Sequence, residues 1–221
     1  MRNNSSNFLF GIDEFDSNVT INWRDEPLDE FDIYAGAYHR AAENLMSDLL
    51  SKSGFHDIDS CPIVFLYRHS IELYLKAICL CGYKLFQLLN KKLLLHGNDL
   101  EQEKLFNNHK LVPLIEVVKQ ISDELKCVWD LEDNFNYFKS YENFKSVISE
   151  IDEIDSGSFA FRYPYDKQKE TASLTKDFSF NLALFQEKIN LVISALDGMS
   201  SQLKVELELA SVQAYSQQQE E

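Results

Sequence analysis

The sequence is poor in glycine and proline, and this shortage narrows the possible fold classes. Its 221 residues include only 7 Gly and 4 Pro, which argues against a loop-rich all-β fold and favours long helices. No run of 18 residues is apolar and free of charge, so we expect no transmembrane helix. The N-terminus has neither the apolar core nor the cleavage signature of a signal peptide, and we therefore predict a cytoplasmic protein.

Basic residues are also scarce. The chain has 21 Lys and Arg against 36 Asp and Glu, a formal net charge of -15. A chain this acidic repels nucleic acid at long range, so RNA binding is disfavoured unless a local basic patch exists. Many of the acids fall in segments that can be remote from a site, namely residues 25–32, 150–155 and 220–221.

Several familiar kinds of site are absent. The four cysteines do not form a zinc pattern, because Cys79 and Cys81 would lie about 200° apart on one helix. There is no glycine-rich phosphate loop, no nucleophile elbow, no His-Glu-x-x-His motif and no Asp-rich metal motif. We therefore predict neither a metal nor a cofactor, and we interpret the cysteines as reduced thiols.

The most informative segment is PIVFLYRHSIELYLKAICL, residues 62–80, an apolar stretch with four charged or titratable side chains. At about 100° per residue these four share one stripe, roughly a quarter of the helix circumference wide. A helix that is apolar over most of its surface is a central, buried one. The stripe is then either the solvent-facing side of that helix or a functional site; it consists of Arg68, His69, Glu72 and Lys76.

The rest of the pattern predicts a single all-α domain, an antiparallel bundle of about five long helices joined by mostly short loops. We divide the chain into an irregular N-terminal arm (1–25), with a short extended segment at 18–23, a helical bundle (26–200), and a C-terminal helix extension with a polar tail (201–221). Gly82 is expected to bend or divide the second helix. The first four helices are predicted at about 28–51, 62–95, 108–127 and 132–154, and the fifth begins at about 175 and could extend past 209.

Two segments of this sequence resemble a known family. The helix YRHSIELYLKAI, followed by HKLVPLIEVV, is similar to the HEPN superfamily (higher eukaryotes and prokaryotes nucleotide-binding), whose members are helical bundles. The resemblance covers residues 32–127 well and the FAFRYP segment loosely, and it does not cover 1–25 or 200–221. It implies a homodimer and a metal-independent ribonuclease whose site lies at the dimer interface.

The chain departs from the family in one respect. The family's ribonuclease motif is an arginine, four to six residues, and a histidine, and no Arg–His pair of this chain has that spacing. Many bundles of this kind that lack the motif serve as binding or dimerisation modules. A catalytic site in this chain would have to be assembled differently.

The stripe is the first candidate for such a site. Arg68 and Lys76 could hold a phosphate, while His69 transfers protons and Glu72 orients one of them. Cleavage of RNA through its 2′-OH needs such a base, acid and cation. The alternative is that Arg68–Glu72 and Glu72–Lys76 are ordinary i,i+4 surface pairs. Both interpretations stay open from the sequence.

Two further regions carry candidates. Arg162, in SFAFRYPYD, lies between aromatic residues and could clamp a phosphate or stack on a base, with Tyr163 beside it. Alternatively this loop only closes one end of the bundle. His109, at a predicted helix start, is a second possible acid or base, or a capping residue. We assign catalysis to Arg68, His69, Glu72 and Arg162, and substrate binding to Lys76, His109 and Tyr163.

Two functional hypotheses follow. In the first, the protein is a non-catalytic accessory bundle that binds a protein partner in a bacterial toxin–antitoxin or antiphage defence complex. In the second, it is a metal-independent endoribonuclease. We expect a homodimer in either case, because several predicted helices carry more apolar surface than one protomer covers. The net charge and the missing motif favour the first hypothesis, and the charged stripe favours the second.

Overall fold

The protein is all-α, as predicted. The computed structural model describes residue 19 and residues 30–54, 57–126, 140–155, 157–165, 171–174 and 178–219. The predicted N-terminal arm, apart from residue 19, and the predicted helix start at 28 lie outside these residues. The helices are α1 (Phe31–Leu50), α2 (Asp57–Leu88), α3 (Gln102–Asn107), α4 (Leu111–Leu125), α5 (Tyr141–Ile154) and α6 (Leu182–Gln219), and a two-stranded hairpin pairs β1 (Leu94–Leu95) with β2 (Asn98–Asp99).

Helix α2 begins five residues before the proline expected to open it. Asp57 and Asp59 stand in the first turn, where carboxylates interact favourably with the positive end of the helix dipole. Pro62 therefore lies inside the helix and removes one backbone hydrogen bond. The helix ends at Leu88, earlier than predicted, and Asn90 follows with a φ of 53°.

Gly82 does not divide α2, which is continuous from Asp57 to Leu88. A Cβ at Gly82 would lie 2.2 Å from Cδ1 of Ile121 on α4. The missing side chain therefore lets the two helices approach closely.

The predicted third helix, 108–127, corresponds to α4 alone, and α3 is an additional helix that was not predicted. The short α3 precedes α4, which begins at Leu111 and carries Pro113 in its first turn, where a proline is tolerated. α4 ends at Leu125, and the left-handed φ of 54° at the C-cap residue Lys126 stops the helix.

The last two helices begin later than predicted: Ser140 is extended and α5 begins at Tyr141, and residues 178–181 are not helical and α6 begins at Leu182. Ser140 caps α5, its Oγ accepting from the backbone N–H of Asn143. The predicted beginning of this helix at 132 and that of the last helix at 175 lie outside the described residues. α6 continues from Leu182 to Gln219, through the predicted boundary at 200.

Helix α2 is the centre of the bundle, as its apolar surface predicted. It packs against α1, α4 and α6. The α1–α2 pair is antiparallel, since Ser70 Oγ donates to Ala35 O while Tyr67, earlier on α2, donates to Glu43, later on α1. No described helix is long and apolar enough to cross a membrane.

Helix α6 lies beside both α1 and α2. Nε2 of His39 on α1 lies 2.8 Å from Oδ1 of Asn190 on α6. Near the N-terminus of α1, Asp32 Oδ2 accepts a hydrogen bond from Lys204 Nζ at 2.6 Å. α6 therefore runs antiparallel to α1 and in the same direction as α2.

Candidate functional site

Three of the four stripe residues are buried inside the bundle. Arg68 and Glu72 are each 1% exposed and Lys76 is 4% exposed, so the stripe is not the solvent-facing side of α2. Two carboxylates from α5 and its C-cap join them. We call this group the charge cluster; it consists of Arg68, Glu72, Lys76, Asp152 and Asp155.

The guanidinium of Arg68 is bonded on each nitrogen. Nε donates to the backbone carbonyl of Asp155 at 2.9 Å, Nη1 to Glu72 Oε2 at 2.9 Å, and Nη2 to the carbonyl of His109 at 2.6 Å. The carboxylate of Asp155 lies 3.5 Å from Nε, and that of Asp152 lies 3.8 Å from Nη2. Arg68 thus binds the backbone just before the start of α4 and the backbone at the end of α5.

Glu72 links Arg68 to Lys76. Its Oε1 accepts from Lys76 Nζ at 2.9 Å and lies 3.0 Å from Nδ1 of His109. Lys76 also donates to the carbonyl of Phe106 at 2.9 Å. Burial alone would raise the pKa of Glu72, but Lys76, His109 and Arg68 together hold that pKa below its usual value. Glu72 is therefore ionised at neutral pH.

The two aspartates pair with Arg68 and also accept hydrogen bonds from backbone amides. Asp152 accepts from the N–H groups of Leu111 and Val112, at 2.9 and 3.2 Å, and so caps the N-terminus of α4 from another helix. Asp155 Oδ1 accepts from the N–H groups of Phe159 and Ala160 at 2.5 and 2.8 Å. The charge cluster therefore connects α2, α4, α5 and the turn that follows α5.

His69 is the stripe residue that reaches the surface. Its ring stacks on Phe65 at 5.6 Å and meets the edge of Tyr38 at 4.5 Å. Burial lowers the pKa of His69; the charge of Glu72 opposes that shift, and the nearby cations reinforce it. The imidazole is consequently neutral at pH 7, the form that accepts a proton.

Arg162 folds back onto helix α2. Its guanidinium carbon lies 5.3 Å from the ring of Phe65 and 5.6 Å from that of Tyr163, and its Nε donates to the carbonyl of Ser158 at 2.5 Å. Phe65 therefore has Arg162 and His69 as neighbours. Tyr163 is half exposed and stacks on Phe159 at 4.4 Å.

His109 has two separate roles in this region. Its backbone carbonyl accepts from Arg68, while its side chain, 58% exposed, lies over Glu72. It is thus the exposed imidazole beside the charge cluster, and it precedes α4 instead of opening it.

Asp152 and Asp155 were not predicted as site residues, because they belong to the acidic segment 150–155, which was counted among the segments that can be remote from a site. A signal for them exists. With Phe144 and Ile148, they lie within about 80° on one helical face, so the acids continue an apolar, inward-facing stripe.

The arrangement favours structure over ligand binding at the cluster itself. Arg68 and Lys76 already donate to internal carbonyls and to Glu72, so binding a phosphate would require breaking those bonds. Among the described residues, no group of three or more His, Cys, Asp or Glu side chains could hold a metal ion. Burial raises the pKa of the Cys79 thiol, which leaves it protonated and packed.

Comparison with known proteins finds no matching family model, no matching curated protein and no matching solved structure.

Proposed function

We propose that this protein is a non-catalytic helical module that associates with a second copy of itself through α6, as an accessory component of a larger complex. The setting, a bacterial defence or toxin–antitoxin complex in nucleic-acid biology, rests on the resemblance of residues 32–127 alone. The assembly surface rests on the geometry of α6.

The observation that carries this proposal is an exposed apolar stripe on the C-terminal half of α6. Val205, Leu209, Val212 and Tyr215 are between 54% and 65% exposed. The first three fall within about 60° on the helix, and Tyr215 lies about 60° further round. We call these four residues the outer stripe.

The opposite face of the same helix segment is already used. Leu203 is buried, and Leu207 and Ala210 pack against the core. α6 therefore has two apolar faces, of which one meets the bundle. A helix with apolar residues at such spacing on a free face is typical of helix–helix association.

Charge favours a second copy arranged antiparallel. Glu206 and Glu208 flank the first half of the outer stripe, whereas Ser211 and Gln213 flank the second half. Antiparallel pairing sets the acids of each copy against neutral residues of the other, while parallel pairing sets acid against acid. A two-fold axis across the outer stripe satisfies this requirement.

The test is the mass of the purified full-length protein in solution, measured by light scattering after size-exclusion chromatography. We expect a dimer that is stronger at high salt, since salt screens the repulsion between two chains of charge -15. Leu209→Asp with Val212→Asp should give monomers. Ile58→Asp is the control, because Ile58 is also exposed but lies on α2. A monomeric wild type, or a dimer unaffected by the double substitution, contradicts the proposal.

A second candidate function, a metal-independent ribonuclease, is favoured by one observation: two imidazoles and a cation lie around the edge of the charge cluster. His69 is the neutral base that would take the proton of a 2′-OH as that oxygen attacks phosphorus. His109, held by Glu72, would protonate the departing 5′-oxygen, and Arg162 would bind the phosphate. The products are a 2′,3′-cyclic phosphate and a 5′-hydroxyl.

This candidate is tested by incubating the protein with total RNA and with tRNA in EDTA. Cleavage that His69→Gln and His109→Gln each abolish, but that His96→Asn retains, supports the ribonuclease. His96 serves as control because it lies in the hairpin turn, and asparagine tolerates its φ of 52°. Absence of cleavage by the wild type contradicts this candidate and leaves the dimer proposal unaffected.

A further inference from the structure

A cavity of about 430 Å³ opens between α2, α5 and α6, closed on one side by the turn after α5 and by the segment before α6. Its walls are mainly aliphatic and aromatic, and each bounding element supplies at least one such side chain. Representative residues are Val64, Ile151, Phe161, Phe180, Leu184 and Val192. A cavity of this volume with apolar walls and few polar groups is typical of a small-molecule site.

The polar groups of this cavity are unevenly placed. Arg68 lies at its inner end, where its nitrogens are already bonded within the charge cluster. Lys188 lies at the exposed rim and has no hydrogen bond or ion pair within the described part of the chain. Glu150 lines the rim from α5.

We propose that this cavity binds an amphipathic anion, an apolar tail with a carboxylate-type head, with the tail inside and the head at Lys188. The inner end cannot take the head, because the charge cluster there has three carboxylates for two cations and already uses the donors of Arg68. The rim offers the ammonium of Lys188, which has no partner among the described residues, in water, where an exposed charge pair can form without burial.

The cavity is independent of the proposed dimer surface. Val192 and Val205, the nearest lining and outer-stripe residues on α6, are 13 positions apart, about 20 Å along the helix. A ligand can therefore bind whether or not the outer stripe is occupied, and the two proposals can fail separately.

The test uses dodecanoate and dodecyltrimethylammonium, two probes with the same tail and opposite head charge. Binding to the full-length protein is measured by titration calorimetry below the micelle concentration of each probe. We expect one saturable dodecanoate site per chain and weaker binding of the ammonium probe. Lys188→Glu should weaken dodecanoate binding roughly fivefold or more and strengthen binding of the ammonium probe. Lys92→Glu makes the same charge change at an exposed residue beside the hairpin, and it should leave the binding of both probes unchanged.

A second variant tests the cavity itself. Val192→Phe should abolish binding of both probes by filling the space, with a thermal melt reporting whether the fold persists. If that variant does not fold, Lys188→Glu decides, because Lys188 is exposed. The proposal is overturned if dodecanoate shows no saturable binding, if it binds at several sites per chain, or if Lys188→Glu behaves like Lys92→Glu.

Discussion

Helices α2 and α6 depart from the usual relation between polarity and burial in opposite ways: α2 buries charged side chains, and α6 exposes apolar ones. α2 buries Arg68, Glu72 and Lys76, while α6 leaves Val205 and Leu209 more than half exposed. The charges of α2 are tolerated because carboxylates and carbonyls from three other elements surround them. The apolar residues of α6 have no such local partner among the described residues. Burial of a side chain in this protein therefore depends on the partners available to it, and not on its polarity alone.

The two regions should also differ in how they respond to substitution. A buried ion group is weak evidence for net stability, since removing ions from water costs as much as their attraction returns, but breaking one partner is expensive. An exposed apolar side chain contributes little to the stability of one protomer. The comparison is therefore testable by removing single groups from each region.

The largest effect is expected for Glu72→Gln. This change keeps the size of the side chain but removes the charge shared by Arg68 and Lys76. Within the charge cluster, Lys76 then has no carboxylate partner, and Arg68 keeps only the more distant Asp152 and Asp155. We expect a loss of about 3–5 kcal/mol in the free energy of unfolding. Urea denaturation followed by circular dichroism measures it.

The control for this prediction is Asp48→Asn. Asp48 on α1 pairs with Lys52, which follows the end of that helix, and both side chains are 60% exposed, so the loss of this pair should cost under about 1 kcal/mol. Equal costs for the two substitutions would show that the charge cluster is not a structural unit.

A smaller effect on stability is expected when either of two glycines is replaced by alanine. Ala at Gly82 would put its Cβ 2.2 Å from Cδ1 and 2.6 Å from Cγ1 of Ile121, a fully buried, β-branched side chain. We expect Gly82→Ala to destabilise the protein by about 1–3 kcal/mol through overpacking of α2 against α4.

Gly198 on α6 is the matched case, since a Cβ there meets nothing within 4 Å. Gly198→Ala should stabilise the protein by up to about 1 kcal/mol, the difference in helix propensity. Thermal melts of the two variants should therefore shift in opposite directions. Shifts in the same direction would contradict the difference in packing between the two helices.

The fold was largely predictable because helical periodicity is a local property. The central position of α2 followed from its nearly complete apolar surface. The ends of α2 were less predictable. Pro62 resembled a helix start, but the aspartates before it support a further turn, and the hairpin after Leu88 depends on packing against α4.

The candidate site was predictable only in part, because its partners are distant in sequence. The spacing of Arg68, Glu72 and Lys76 placed them together correctly. Their burial depends on Asp152 and Asp155, more than 70 positions away, and on backbone carbonyls, which carry no side-chain signal. Whether the stripe faced solvent therefore could not be decided from the sequence of α2.

The smallest expected effect is a difference between α2 and α6 in how the stability of the protein depends on pH. The pKa of His69 in the folded protein lies below the ordinary 6.5, so the unfolded chain binds more protons between those two values, and stability rises with pH there. The contribution of His69 is thus present above about pH 6.5 and is lost as pH falls through the lowered pKa. That of Glu72, whose pKa lies below 4.5, is lost only in stronger acid.

His69→Gln should accordingly flatten the stability profile just below pH 6.5 and leave the steeper loss below pH 4.5 in place. Leu209→Ser, which removes an apolar group from the outer stripe, should leave the shape of the profile unchanged, since no titratable group is altered. Urea midpoints measured from about pH 3 to pH 8 distinguish the two variants. A wild-type profile retained by His69→Gln would mean that the imidazole titrates as it does in the unfolded chain. The pH sensitivity of α2 would then come from Glu72.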